Sequence, residues 1–251
     1  MTFFDTNIIY GTPLDKKSYS IVAEIKTLQK ELSQTGIKYA LVRREEQRSG
    51  HPISGNRLLG KDLKNLDNIW GVWSILPEYT QELQAPAEML DAMKANKIVA
   101  WQFLPQNHGF TFHHKPLSNW LKLAEKHNIP IFAEMESAVT YEQLYNILEY
   151  YPKLTIILSP QSVRSCDRFI RPFLSEYENI YLELSYYMQS GGLEELVKIY
   201  GAARLLFGTG FHRSYTGGAM LLLKHAEISQ AAKDAIAYKN MLSIMEKIQY
   251  D

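Results

Sequence analysis

The chain has 251 residues, of which 46% are hydrophobic, and its 27 Lys and Arg residues balance its 27 Asp and Glu residues. A chain of this length can bury a sizeable core, either as one barrel-type domain or as two smaller domains. Because the net charge is zero, there is no long-range attraction to polyanions, and neither nucleic acid nor an acidic membrane surface is an expected partner.

Short apolar runs alternate with longer segments of helical period along the whole chain. The first run, FFDTNII, precedes a predicted helix over 18–34 with Ile21, Ile25, Leu28 and Leu32 on its apolar face. Seven further pairs follow: IKYALV with 57–66, IWGVWSIL with 86–97, IVAWQFLP with 117–127, IPIFAEM with 141–151, LTIILS with 167–177, IYLELSY with 193–200, and RLLFGTG with 218–226. Strands this apolar are covered on both faces, as in a parallel sheet. Eight such units predict an α/β fold, a (β/α)8 TIM barrel.

The end of the chain predicts one more element, a C-terminal helix over 229–248 that begins at a capping serine, Ser229. An open doubly wound sheet is the alternative, but it normally carries a glycine-rich phosphate turn after an early strand. The segment YGTP at 10–13 does not match that pattern. Since no low-complexity linker interrupts the chain, residues 1–251 are predicted to form one domain.

Two features bear on location. The N-terminus lacks a basic segment followed by an apolar signal core, and no apolar run reaches the roughly 20 residues of a membrane span. Cys166 is the only cysteine, which fits a reducing compartment. We therefore expect a cytoplasmic protein that does not enter a membrane.

Several blocks of sequence carry a family resemblance: FFDTNIIYG, GIKYALV, GNRLL, NIPIFAE, YPKLTIILS, ARLLFGTGF and AEISQAAKDAIAYKNMLSIM. On these blocks the chain resembles the amidohydrolase superfamily, in the amidohydrolase-related branch of metal-dependent TIM-barrel hydrolases. In that family the first strand ends in Asp-x-His-x-His, and strands five and six each end in a metal-binding histidine. Strand eight ends in an aspartate within Gly-Thr-Asp. The resemblance implies hydrolase-like chemistry in which a zinc or similar ion activates water.

The family's metal ligands are replaced in this chain. The strand-one histidines fall on Asn7 and Ile9, the strand-five histidine on Glu134, the strand-six histidine on Pro160 and the strand-eight aspartate on Gly210. A catalytic zinc site needs about three ligands from His, Cys and carboxylate side chains. Only Glu134 is a credible ligand, so we expect no metal ligands and no cofactor. Asp5 belongs to the matched motif, and its place inside the strand suggests a buried hydrogen-bonding role.

The candidate site residues lie at the carboxyl ends of the strands, where barrel enzymes carry their chemistry. Glu134 is the candidate general base, and Asn7 could bind a hydroxyl or an amine beside it. The alternative for this pair is a hydrogen-bonded plug in place of the metal. His212, two residues after Gly210, is the strongest histidine candidate for catalysis.

Charged residues follow other strands. Arg43 and Arg44 end strand two, Arg164 follows strand six and Arg213 follows strand eight. Guanidinium groups at one face favour an anionic small molecule, bound by bidentate hydrogen bonds. The alternative is ordinary pairing with Glu45, Glu46 and Glu136. Glu183 and Ser185 alternate with leucines on strand seven, so either the polar or the apolar pair faces the barrel interior.

Other conspicuous residues have structural interpretations. The segment HGFTFHH at 108–114 lacks metal-ligand spacing and is interpreted as a lid. The tryptophans are expected in the core, and Cys166 is expected to be a small residue at a helix start.

Three functions remain open from the sequence. The first is a metal-independent enzyme acting on a small polar or anionic molecule, with Glu134 and His212 as catalytic residues and Asn7, Arg43, Arg164, Glu183 and Arg213 binding the substrate. The second is a non-catalytic barrel that binds a metabolite. The third is a metallohydrolase with ligands recruited from Glu134, His212 and the loop histidines. A small molecule is the expected partner in each case, and the sequence leaves a homo-oligomer open.

Overall fold

Eight parallel strands form the centre of the fold. The computed structural model describes residues 1–13, 22–161 and 166–250. The strands hydrogen-bond to one another in chain order. They are β1 Phe3–Tyr10, β2 Ile37–Arg44, β3 Ile69–Ser74, β4 Ile98–Gln102, β5 Ile131–Met135, β6 Ile156–Pro160, β7 Ile180–Glu183 and β8 Leu205–Leu206. Between the first and last strands, the amide of Thr6 donates to the carbonyl of Phe207 at 3.0 Å, and the amide of Ile9 donates to that of Phe211 at 2.7 Å. The sheet is therefore a nearly closed barrel, which confirms the TIM-barrel prediction.

Helices alternate with these strands. They are α1 Ile25–Thr35, α2 Glu46–Ser49, α3 Pro52–Leu63, α4 Pro86–Ala95, α5 Pro105–His108, α6 Ser118–His127, α7 Tyr141–Tyr150, α8 Asp167–Glu176, α9 Gly192–Tyr200, α10 Thr216–His225, α11 Gln230–Asp234 and α12 Asn240–Glu246. A π-helical turn, Ala235–Lys239, joins the last two. These bounds agree with most of the predicted helices to within two residues at each end.

Two helices begin elsewhere than predicted. Helix α1 begins at Ile25, and residues 18–21 of the predicted helix lie outside the described residues. Helix α3 begins at Pro52, five residues before the predicted start. Proline supplies a preset φ for the first helical turn, and the His51 ring accepts a hydrogen bond from the amide of Ile53 at 3.4 Å. A proline inside a loop-like segment, HPISGN, concealed this start.

The predicted C-terminal helix is confirmed, and it is anchored to the barrel. Ser229 caps it by accepting a hydrogen bond from the amide of Ala232 at 3.2 Å. The carbonyl of Ile236 accepts from the amide of Phe207, just after β8, at 3.0 Å. Asn240 donates to the carbonyl of Leu205 at 2.8 Å. This helix therefore supplies hydrogen bonds to the shortest strand of the barrel.

The core lies between the strands and the outer helices. All eight residues of β1 are buried. Trp101 of β4 and Trp120 of α6 are both buried and meet edge to face, with ring centroids 5.5 Å apart. Trp73 is buried as well and Trp70 packs against the core, so the tryptophans are core residues as predicted.

In the parts of the chain that the structure describes, no helix has the length and apolar character needed to cross a bilayer.

Candidate functional site

Side chains from five strands form one continuous hydrogen-bonded series across the barrel. Arg43 of β2 donates both to Glu134 of β5 and to Asn7 of β1. Asn7 in turn donates from Nδ2 to Oε2 of Glu183, on β7, at 2.8 Å. Ser159 of β6 donates to the same oxygen at 2.7 Å. We call Glu134, Arg43, Asn7, Glu183 and Ser159 the polar chain.

The polar chain is buried at the carboxyl ends of its strands. Each of its five members is at most 2% exposed. Parallel pairing sets Glu134 beside Ser159 in register, one step before the ends of β5 and β6. Because the strand ends converge over the barrel interior, short polar side chains there reach one another. Four residues predicted for the site, Asn7, Arg43, Glu134 and Glu183, therefore meet in one network.

Glu183 shows which face of β7 is polar. Its Oε1 accepts from the amide of Ser185 at 2.6 Å and from the hydroxyl of the same residue. The polar pair therefore faces the barrel interior. Burial raises the pKa of Glu183, although the hydrogen bonds from Ser185, Ser159 and Asn7 oppose this effect. The carboxylate also lies against backbone, because a Cβ atom added at Gly208 would be 1.9 Å from Oε1.

Glu134 has the opposite electrostatic environment. Burial by itself would raise its pKa, but Arg43 and Arg48 outweigh burial and lower the pKa to about 2. Arg48 donates to Oε2, and the hydroxyl of Ser137 donates to the same oxygen at 3.1 Å. Both carboxylate oxygens are thus engaged. Glu134 is an ionised anchor for two arginines and, at neutral pH, a weak base.

Arg43 lies between Asn7 and Glu134 and donates to both. Its guanidinium also stacks on the ring of Phe132, 4.1 Å from the ring centroid. Burial lowers the pKa of Arg43, and the Glu134 carboxylate opposes this effect. An arginine guanidinium stays protonated in proteins, so Arg43 places a positive charge between Asn7 and Glu134.

Asp5 ties β1 to the Gly-Thr-Gly turn after β8. Its Oδ1 accepts from the amides of Asn7 and Thr209, both at 3.0 Å, and its Oδ2 accepts from the hydroxyl of Thr209. Burial raises the pKa of Asp5 to about 7, against the opposing effect of these hydrogen bonds. The predicted buried hydrogen-bonding role of Asp5 is confirmed.

The side chain of Tyr186 packs against the Gly-Thr-Gly turn at Gly210. Gly210 has a φ of +68°, which favours glycine. A Cβ atom added there would be 2.9 Å from the hydroxyl oxygen of Tyr186 and would contact its ring. Tyr186 therefore fills the space beside residue 210. A side chain at this position would require a change in the backbone conformation and a displacement of Tyr186.

The residues after this turn lie at the rim. His212 has its Nδ1 atom 3.0 Å from the carbonyl oxygen of Ile9. Since a carbonyl only accepts, Nδ1 is the nitrogen that donates, and in the neutral ring the lone pair is on Nε2. Arg213 has a side chain that is 39% exposed, 3.8 Å from Glu45. Arg164, the remaining predicted binding residue, lies outside the described residues.

Three residues of the site, Ser159, Arg48 and Tyr186, were not predicted from the sequence. Arg48 comes from α2, one helical turn beyond the end of β2, and its side chain is 16% exposed. The sequence feature that could have indicated Arg48 is its position five residues after Arg43. A short helix directly after a strand can place a long side chain over the mouth of the barrel. Tyr186 gave no signal, because a tyrosine next to an apolar strand is usually a core residue.

Several other predictions concerned residues away from the polar chain. Arg44 pairs with Glu46 at 2.7 Å and with Asp62, which is the ordinary charge pairing considered as its alternative. Phe112 of the predicted lid is buried, with its ring centroid 5.5 Å from that of Phe103. Cys166 is buried beside the start of α8, and burial raises its pKa to about 11, so it is a weak nucleophile.

The donors available for a divalent ion are few. Ile9 and Pro160 carry no donor side chain, and Asn7 and Glu134 are engaged by Arg43. Over residues 1–13, 22–161 and 166–250, no group of three or more His, Cys, Asp or Glu side chains is arranged to hold a metal ion.

Comparison with known proteins places this geometry in context. The sequence profile described as Amidohydrolase matches residues 56–240. No curated protein matches the chain. Among solved structures, 2,6-dihydroxybenzoate decarboxylase complexed with 2,6-dihydroxybenzoate is similar with a TM-score of 0.77, at 12% identity over 98% of both chains.

Two further solved structures have the same fold. A protein assigned as 2-pyrone-4,6-dicarboxylic acid hydrolase from Pseudomonas putida has a TM-score of 0.74, at 13% identity over 98% of both chains. A dihydroxybenzoic acid decarboxylase from Polaromonas, solved with manganese and 2-nitroresorcinol, has a TM-score of 0.73 at 14% identity, over 98% of this chain and 97% of that one. At these identities the similarity extends to the fold alone.

Proposed function

Because the chain belongs to the amidohydrolase family, we propose that it binds a small carboxylate-bearing molecule at the mouth of the barrel, without a metal ion in the polar chain. The observation that carries the proposal is the convergence of two arginines, Arg43 and Arg48, on the carboxylate of Glu134, with Arg213 near enough to lower the pKa of that carboxylate. Arg48 and Arg213 keep guanidinium hydrogens that a ligand carboxylate can accept.

The residues do not fit the metal that the family resemblance implies. Zinc needs about three His, Cys or carboxylate ligands, and a neutral amide such as that of Asn7 is a poor ligand. At the position between Asn7 and Glu134 the structure already has the guanidinium of Arg43. A divalent ion there would have to displace a buried cation and would be repelled by it. The polar chain therefore fits a site that carries its positive charge on arginine.

Two of the three arginines are accessible to a ligand. Arg43 is 2% exposed and is committed to the polar chain. Arg48 uses one terminal nitrogen on Glu134, and its other terminal nitrogen has only a 3.5 Å contact with Asn107. Arg213 is more exposed and lies 3.8 Å from Glu45. Arg48 and Arg213 are thus the proposed anion-binding pair, and Arg43 is a positioning residue.

The ligands of the structural neighbours support the same chemical class. Dihydroxybenzoate and pyrone dicarboxylic acid, named with two of those structures, are both carboxylates. Those ligands belong to those proteins, and for this chain we propose only the shared carboxylate.

If the bound carboxylate is turned over, His212 is the better base. Its Nε2 keeps a lone pair because Nδ1 is turned toward the Ile9 carbonyl. Glu134, with a pKa lowered to about 2, holds little affinity for a proton at neutral pH. We therefore propose that Glu134 orients Arg48 and that any general-base step belongs to His212. A cytoplasmic location and the absence of a nucleic-acid partner remain predictions.

The binding test uses isothermal titration with benzoate, citrate and 2,6-dihydroxybenzoate. Arg213→Gln and Arg48→Lys are expected to weaken the tightest of these by roughly tenfold to a hundredfold, because each removes charged hydrogen bonds to the ligand. Arg48→Lys keeps a charge beside Glu134, so that the fold is preserved. Arg168→Gln, at an exposed position on α8, is the matched control and should bind as the unmodified protein does.

Two outcomes would refute the proposal. One is carboxylate binding that is unchanged in both arginine variants. The other is near-stoichiometric zinc, manganese or iron in protein purified without a chelator. Turnover of the bound carboxylate, lost in His212→Gln but retained in Glu134→Gln, would distinguish an enzyme from a metabolite-binding barrel.

A further inference from the structure

A cavity lies between α9 and α10, outside the polar chain but at the same end of the barrel. It is bounded by the segment that follows β7, by the residues directly after β8 and by the two helices. Its volume is about 480 Å³, which is within the range of small-molecule sites. The chemistry of its lining indicates which small molecule it would take.

The walls of this cavity are mainly hydrocarbon. Leu193, Phe207 and Leu223 line it and are each at most 3% exposed. Met188 and Leu222 also line it and are exposed, so the cavity opens to solvent beside them. Transfer of apolar ligand surface from water to such walls is favourable. The walls therefore favour a ligand with a hydrocarbon body.

Two hydroxyl groups in the lining already have partners. The hydroxyl of Ser185 donates to Oε1 of Glu183. The hydroxyl of Tyr187 donates to Oδ1 of Asp167 at 2.7 Å. Neither hydroxyl hydrogen is therefore available to a ligand, and the polar part of the ligand needs another partner.

Glu194 is that partner. Among the described residues that line the cavity, only Glu194 has a carboxylate, and its Oε1 accepts from the amide of Glu227 at 2.9 Å, which fixes its orientation. In the described part of the chain, no Lys, Arg or His side chain pairs with either of its oxygens. The next residue differs, since Glu195 pairs with Arg171 at 2.6 Å. Glu194 thus places a negative charge without a cationic partner beside apolar walls.

We propose that this cavity binds a primary amine with a hydrocarbon body, and that the ligand ammonium group donates to the carboxylate of Glu194. The ammonium group supplies the positive charge that the described side chains do not bring to Glu194, and the hydrocarbon body contacts the apolar walls. Glu194 is partly exposed, so a ligand that enters from solvent can reach it. The proposal does not rest on the carboxylate site at Arg48 and Arg213, which selects the opposite charge.

The test compares phenethylamine with phenethyl alcohol, which has the same hydrocarbon body and a hydroxyl in place of the ammonium group. Binding is followed by NMR of ¹³C-labelled methionine methyl groups. Met188 lines the cavity and is the local reporter, and Met93, buried on α4, is the distant reference. The amine is expected to bind about threefold to tenfold more tightly than the alcohol, because it makes a charged hydrogen bond, and to shift the Met188 signal but not the Met93 signal. High salt should reduce this preference, since the pair is partly exposed.

The decisive variant is Glu194→Gln. The glutamine oxygen can still accept from the Glu227 amide, but the charge is gone, so the preference for the amine should disappear. Glu195→Gln is the matched control, because Glu195 is also an acidic residue in the first turn of α9. That variant should retain the preference for the amine.

Equal binding of amine and alcohol to the unmodified protein would overturn the proposal. So would an amine preference that survives in Glu194→Gln, or amine binding that leaves the Met188 signal unchanged. Repeating the titrations in Arg213→Gln separates this site from the carboxylate site. Loss of benzoate binding there should leave amine binding intact, and Glu194→Gln should leave benzoate binding intact. Loss of amine binding in Arg213→Gln would place the amine elsewhere and would also contradict the proposal.

Discussion

The buried guanidinium of Arg43 provides the most demanding test of the site. In Arg43→Met, Glu134 loses one of two cationic partners and Asn7 loses the donor to its Oδ1. Removing one partner from a buried ion pair costs about 3–5 kcal/mol. Since Glu134 keeps Arg48 and Ser137, we expect the lower end of this range, about 3 kcal/mol. For a chain of this length, the loss corresponds to a decrease of about 6–12 °C in the unfolding temperature.

The matched control is Arg171→Met. Arg171 also contacts two carboxylates, Asp167 at 3.0 Å and Glu195 at 2.6 Å, but it lies at the surface on α8. Surface pairs of this kind contribute about 0–1 kcal/mol, so the unfolding temperature should change by only about 0–4 °C. Both variants are measured by differential scanning calorimetry and by urea unfolding. If Arg43→Met is no more destabilising than Arg171→Met, then the interpretation of Arg43 as a buried cation that stabilises Glu134 and Asn7 is wrong.

Two further predictions concern the polar chain and its neighbours. Gly208→Ala would place a Cβ atom 1.9 Å from Oε1 of Glu183, so we expect a loss of at least about 1–3 kcal/mol in urea unfolding. Gly218→Ala, a helical position with nothing within 4 Å of its added Cβ atom, should be neutral or stabilising, and equal effects of the two changes would contradict the prediction. The pKa of Asp5 is raised to about 7, so its contribution to stability is complete below its ordinary pKa of 3.8 and is lost as the pH rises through 7. Asp5→Asn should therefore flatten the fall in unfolding temperature between pH 4 and pH 7, whereas exposed Asp91→Asn should not, and identical slopes in all three proteins would exclude Asp5 as the source.

The barrel was predictable from the sequence because each of its strands and helices is specified by a short continuous segment. An apolar run such as LTIILS followed by an amphipathic segment over 167–177 specifies a strand and a helix, and eight repeats of that order leave few architectures. The site residues were predictable for the same reason, since Asn7, Arg43, Glu134 and Glu183 are polar residues within or directly after the predicted apolar strands. The barrel topology brings the carboxyl ends of these strands together, so it also predicts that their polar residues lie close to one another.

The pairing within the site was not predictable, because it depends on contacts between distant parts of the chain. A sequence of Arg and Glu residues does not specify that Arg43 reaches Glu134 while Arg44 turns to Glu46 on the other face of β2. That outcome depends on the alternation of β2 and on the length of each side chain. Arg48 also escaped prediction, since α2 has only four residues and no clear helical period.

The tyrosine beside Gly210 has a consequence for engineering a metal site into this barrel. An aspartate introduced at residue 210 would meet a left-handed backbone and the hydroxyl of Tyr186 before it could meet an ion. A metal site here would thus also need a smaller residue in place of Tyr186 and the removal of the Arg43 guanidinium from its place between Asn7 and Glu134. The addition of metal-ligating side chains would not be enough by itself.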